Sequence, residues 1–215
     1  MRNEEINKKF FKIKRELLNI YKKYRNVDRS NINLLLQIDE EIHLLYNEYL
    51  KLYVIYDKQS PEYSSVWQSI HCSCYYYALN LPMPKLFEKI YEELTGYYFE
   101  SHLGSIATLP YLKDFDKNKV LDYLYSDLEA LNIKWYQSDI EYPAFHGGYK
   151  IALLVDDTPN DSDFHFVRQN IDGLWSEKDG CGCEVVNITT PEEFTNDIQY
   201  KYVTTLELVK PTLKK

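Results

Sequence analysis

Residues 163–178, DFHFVRQNIDGLWSEK, decide how the second half of the chain folds. Two runs of alternating character flank Asn170-Ile171-Asp172-Gly173. Asn and Asp support a type I turn, and only Gly takes the positive φ of the adjoining bulge at low cost, so the segment is predicted to be a β-hairpin. The turn then sets the register. Asn170 is expected to pair with Leu174, Val167 with Glu177 and His165 with Asp179, which puts Glu177 and Asp179 on the sheet face of His165. Arg168 and Trp175 are expected to stack or pair within this hairpin.

Outward from the hairpin the same period of two recurs in IKWYQ from residue 133, YKIALLV from 149 and KYVTTLELV from 201. Upstream the period changes. Val120, Leu121, Leu124, Leu128 and Leu131 predict a helix over residues 117–131, Leu86, Phe87, Ile90, Tyr91 and Leu94 predict one over 85–94, and a short helix is expected over 74–80 before Pro82 and Pro84. Helices first and strands afterwards imply an α+β domain with a mostly antiparallel sheet.

The first sixty residues obey another rule. Ile6, Phe10, Ile13, Leu17, Ile20 and Tyr24 form one heptad seam, and Leu35, Ile38, Ile42, Leu45, Tyr49, Leu52 and Tyr56 form a second. The short link between them, with Asp28 or Ser30 as the expected helix cap, makes the helices antiparallel neighbours. Residues 4–58 therefore read as a helical hairpin. It is either an arm that binds a protein partner or self-associates, or a packing layer for the C-terminal domain. The break at Gln59-Ser60-Pro61 divides the chain into domains 1–60 and 61–215.

Charge is unevenly spread. Residues 1–25 hold nine Lys and Arg against Glu4, Glu5 and Glu16, a net of +6, which leaves −14 of the total of −8 to the rest of the chain. The basic stretch has internal partners in Asp39, Glu40, Glu41 and Glu48, and the chain as a whole is acidic, so nucleic acid is not an expected partner. No apolar run approaches the roughly 18 residues of a membrane span, and Glu4 and Glu5 stand where a signal peptide needs an apolar core. With four Cys in two C-x-C pairs, reduced thiols and a cytoplasmic location are expected, with no membrane association.

The chemistry centres on Cys74. It opens the run CYYYALN at an expected helix start, where free N–H groups favour a thiolate and can donate to an oxyanion, and Gln68 stands six residues before it. His165 is the candidate base. A third polar group that fixes the imidazole improves such a pair, and Glu177 fits that role, with Asp179 or Asn170 as substitutes. Cys74 has a structural alternative as a buried apolar side chain, His165 as a strand histidine bonded to a carbonyl, Gln68 as a cap and Glu177 as a solvated carboxylate. His71, His102 and His146 have no metal-ligand spacing.

Cys on a helix, His on a later strand and a polar group on the next strand, with Gln68 six residues ahead and the aromatic Tyr75 behind, resembles papain-like cysteine peptidases and amidases. CYYYALNLPMP, GYKIALLVDD and DFHFVRQNIDGLWSEKDG also resemble an uncharacterised bacterial family whose segments read CYAYALG, KIALVVD and DYHFYRQDxDGxWSHKxG, over roughly residues 70 to 190. The resemblance implies a papain-like domain whose nucleophile helix packs on the sheet, and a cysteine hydrolase or acyltransferase acting on an amide bond of a peptide or protein without a cofactor. The chain departs from that family at Val167, which replaces a Tyr, at Glu177, which replaces a His, and at Asp179, which replaces a Pro. Two other functions compete. One is a non-catalytic, partner-binding module; the other is a domain stapled by a zinc ion on Cys72, Cys74, Cys181 and Cys183.

Overall fold

In a computed structural model the protein is described over residues 3–57, 61, 67, 72–156, 158, 162–180, 185–188, 190–191 and 200–211. Among these, five helices and six strands succeed one another: α1 (Asn3–Tyr24), α2 (Ile32–Tyr56), α3 (Cys74–Ala78), α4 (Lys85–Thr95), α5 (Lys117–Ala130), β1 (Lys134–Ser138), β2 (Tyr149–Asp156), β3 (Asp163–Gln169), β4 (Trp175–Lys178), β5 (Val185–Ile188) and β6 (Lys201–Val209). The α+β class and the antiparallel sheet are as expected. The chain forms two compact units, one built from Met1–Asp57 and Met83–Glu100, the other from Lys58–Pro82 and Ser101–Pro211. The helical unit thus takes in α4, which sequence alone assigns to the second domain.

In the helical unit α1 and α2 run antiparallel. Lys23 and the Tyr24 hydroxyl, at the end of α1, both bind Glu41, at 2.8 and 2.7 Å, while Phe10 lies 6.0 Å from Tyr56 at the opposite end. Glu41 takes the cross-helix role, whereas Asp39 accepts from the Tyr91 hydroxyl of α4 at 2.7 Å. The exposed Lys23 pair is screened by solvent and contributes little, so the apolar seam of Ile6, Ile13 and Leu17 carries the unit. The seam of α2 departs from a strict heptad. Leu35, Ile38, Ile42 and Leu45 are buried as expected, but burial then passes to Tyr46, Leu50 and Val54, and Tyr56 is exposed. The cause is α4, which packs on α2 as well, so α2 needs a second apolar stripe. Its cap is Asn31, whose side chain accepts from Leu34 N–H; Asp28 instead accepts from Ser30 N–H within the turn.

In the second unit the sheet has the order β1-β6-β2-β3-β4-β5 with every neighbouring pair antiparallel. All eight residues of the central β2 are buried, so both faces of the sheet are covered there. Lys150 tolerates this because its ammonium donates to the carbonyls of Asp139, Ile140 and Tyr142. The β3-β4 hairpin has the expected register: Asn170 N–H donates to Leu174 O at 2.8 Å, Gly173 sits at φ +85°, and Val167 pairs with Glu177. The ladder stops there. Asp179 stands exposed beyond β4 rather than opposite His165. Edge strand β5 is not foreseen from the sequence, since four residues with one buried position carry little periodic signal.

One irregularity positions the site. Between β2 and β6 the register shifts after Leu153, which pairs with Thr204, so that Leu154 pairs with Tyr202 and Val203 is left over. This bulge moves Tyr202, and with it Tyr200, onto the sheet face of Leu154. Leu154 pairs on its other side with His165. A five-residue cluster of Ile140, Ala152, Leu154, Val167 and Trp175, with Ile188, Tyr200 and Tyr202 packed against it, forms the core on this face.

Candidate active site

The local sequence makes α3 an unusual helix. All five of its residues are buried, three of them tyrosines, and a helix apolar all round must sit inside the fold. Buried hydroxyls need partners, and each finds one. Tyr75 donates to Asp127 at 2.8 Å, Tyr76 shares a hydrogen bond with Ser105 at 3.0 Å, and Tyr77 shares one with Ser176 of β4 at 2.6 Å. At the other end, Arg168 Nη1 donates to Tyr77 O, which also accepts from Asn80 N–H, and Tyr149 Oη donates to Leu79 O. Arg168 therefore reaches out of its hairpin. Its guanidinium stacks on the Tyr77 ring at 3.8 Å and on Trp67 at 5.0 Å, whereas Trp175 is a core residue.

These anchors fix Cys74, the first residue of α3, beside β3. Cys74 stands close enough to the His165 ring to act on its protonation, and Glu177 Oε2 lies 2.8 Å from His165 Nε2. Cys74, His165 and Glu177, expected from sequence as nucleophile, base and orienting group, are thus brought together. Burial alone would lower the His165 pKa. The nearby Cys74 and the hydrogen bond to Glu177, with the negative charges these groups carry when ionised, outweigh that effect and push it up to about 10. Gln68, the expected oxyanion donor, lies outside the described residues, as do His71 and, of the zinc alternative, Cys181 and Cys183. Among the described residues no three His, Cys, Asp or Glu side chains form a set suited to a metal.

Helix α3 is shorter than the sequence pattern implies. It is capped by Ser73 and ends at Ala78, with Asn80 in the left-handed region, so its five residues contribute little macrodipole at Cys74.

Two residues escape a sequence reading. Tyr200 places its ring 6.0 Å from the His165 ring and donates to Asp163 Oδ2 at 2.6 Å, a position that depends on the bulge at Val203. Burial and that hydrogen bond to Asp163 raise its phenol pKa, so it remains a neutral donor. Asp127 is fully buried and accepts from Tyr75, Gly104 N–H and Ala107 N–H. One signal exists for it. Asp127 falls three residues after Leu124 and one before Leu128, on the apolar face of α5. Comparison of the chain with protein-family models, curated proteins and solved structures gave no match.

Proposed function

We propose that the protein is a cysteine hydrolase or acyltransferase of papain-like design that acts on an amide bond. Cys74 Sγ attacks the carbonyl carbon, and the resulting oxyanion takes a hydrogen bond from the Cys74 backbone N–H, with Gln68 as the proposed second donor. As the tetrahedral intermediate collapses, the C–N bond breaks and His165 passes its proton to the leaving amine. A thioester remains on Cys74. Water, deprotonated by His165, hydrolyses it to a carboxylic acid, or an amine takes the acyl group instead. Glu177 holds the imidazole by Nε2 and favours its charged form, the role that an orienting group plays in such triads.

The observation that supports this reading is the placing of Cys74 near the His165 ring while Glu177 holds that ring by Nε2. Iodoacetamide labelling at pH 6, mapped by mass spectrometry, tests it. Cys74 is expected to label much faster than Cys72, Cys181 and Cys183, and His165→Ala to remove that advantage in a folded protein. Uniformly slow labelling would refute catalysis. A second reading, a non-catalytic binding module, is favoured by burial: Cys74 is 8 % exposed and His165 3 %. Under it all four thiols label slowly and His165→Ala changes nothing.

A further inference from the structure

The helical unit contains a cleft of about 300 Å3 between α1, α2 and α4 whose use the Cys74 chemistry does not explain. Its walls include Phe10, Ile13, Tyr49, Leu86 and Phe87, and the rings interlock: Phe10 lies 5.3 Å from Tyr49, which lies 5.8 Å from Phe87. A dry cavity of about 150 Å3 holds benzene, so this one suits an apolar body of roughly ten carbon atoms.

The charge at its edge is specific. Lys14 is the one ionic side chain on the cleft wall, it is exposed, and among the described residues it has no ion-pair or hydrogen-bond partner. A second cleft shares Ile13 and is bordered by Lys9, Lys12 and Lys51 against Glu48, so the ground beside the apolar slot is positive. Burial, with the charge of Asp57 adding to it, pushes the Tyr49 phenol up to about 12, which keeps its hydroxyl a neutral donor.

We infer that the helical unit binds a small amphipathic carboxylate, a single-chain fatty acid of medium length, with its chain among the aromatic rings and its carboxylate on Lys14. The inference stands independently of the Cys74 site. A helical hairpin that carries an apolar slot and a basic border is built to hold a monomeric acid.

Calorimetric titration of the full chain with decanoate at pH 7.5, with decanol as the uncharged control, tests this. Decanoate should bind saturably, one per chain, and Lys14→Glu should weaken it at least tenfold without changing decanol binding. Lys22→Glu, also on α1 but away from the cleft wall, should have no effect. Leu86→Trp, which fills the slot, should abolish binding of both while the melting temperature is retained; if that variant fails to fold, the Lys14 comparison still decides. Absence of saturable decanoate binding, or equal affinity of wild type and Lys14→Glu, would overturn the proposal. A ligand-free dimer that decanoate does not disperse and Leu86→Trp splits would assign the slot to a second copy of the chain, and would overturn it as well.

Discussion

Tyr75, the residue next to Cys74, donates a hydrogen bond of 2.8 Å to Asp127, a carboxylate with no exposed surface. The same carboxylate accepts from Gly104 N–H and Ala107 N–H, each at 2.7 Å, and so ties α3, α5 and the turn over residues 104–107 to one point. Burial pushes its pKa up, and the three donors work against that rise. Asp127→Ala strands three donors, two of them buried. It is expected to lower the free energy of urea unfolding by about 2–4 kcal/mol, with Asp127→Asn intermediate. A change below about 0.5 kcal/mol in the Ala variant would show that water or a rearranged turn replaces the carboxylate.

Glu177→Gln tests the orienting role more gently than removal of the side chain. The amide oxygen can still accept from Nε2, so the ring stays placed, but the negative charge that favours imidazolium is gone. The expected result is a folded protein in which Cys74 reacts with iodoacetamide at pH 6 several-fold more slowly, because the pair of thiolate and imidazolium loses the charge that supports it. Equal rates in the two proteins would make the Glu177 contact structural alone.

The His165 shift carries its own pH signature. A histidine whose folded pKa is raised contributes stability that is fully present below the ordinary value of about 6.5 and is lost as pH climbs through about 10. Melting temperatures of wild type and His165→Gln, compared from pH 6 to 10.5, should therefore converge towards the alkaline end. A gap that widens with pH would mean that the imidazole is neutral in the folded protein.

The neighbourhood of His165 and Glu177 could be read from sequence because every step of the inference is local. Asn170, Asp172 and Gly173 dictate the turn, the turn dictates the register, and two residues of alternation bring both side chains to one face. Where the outcome depends on distant partners, the pattern falls silent. The second stripe of α2 exists because α4 packs there, and no spacing within α2 announces a second neighbour. Tyr200 reaches His165 only because Val203 bulges out of the β2-β6 ladder, a slip decided by how two strands 45 or more residues apart fit together. Cys74 was legible as a helix start, but the shortness of α3 was not, since Leu79 and Asn80 do not themselves forbid another turn.

A second histidine offers a pH test within the helical unit. His43 Nδ1 faces the Asp39 carbonyl oxygen at 3.0 Å and the Asp39 carboxylate at 3.2 Å, while Nε2 faces the carbonyl of Glu100 at 3.1 Å. Carbonyl oxygens only accept, so both ring nitrogens must carry protons for all these bonds to form. The ring also stacks on Phe99 at 4.4 Å and meets the edge of Tyr91, whose hydroxyl binds the same Asp39 carboxylate. Burial lowers the His43 pKa, yet its bonds to Asp39, with that residue's charge, raise it further than burial lowers it. Its contribution is then complete below pH 6.5 and fades as pH rises through the elevated folded value. NMR titration of the His43 ring should give a pKa above 6.5, and the stability advantage of wild type over His43→Gln should shrink between pH 6 and 9. A ring that titrates below 6.5 would show that burial wins, that one of the two carbonyl contacts is empty of a proton at neutral pH, and that residues 96–100 are held to α2 by the Phe99 stack instead.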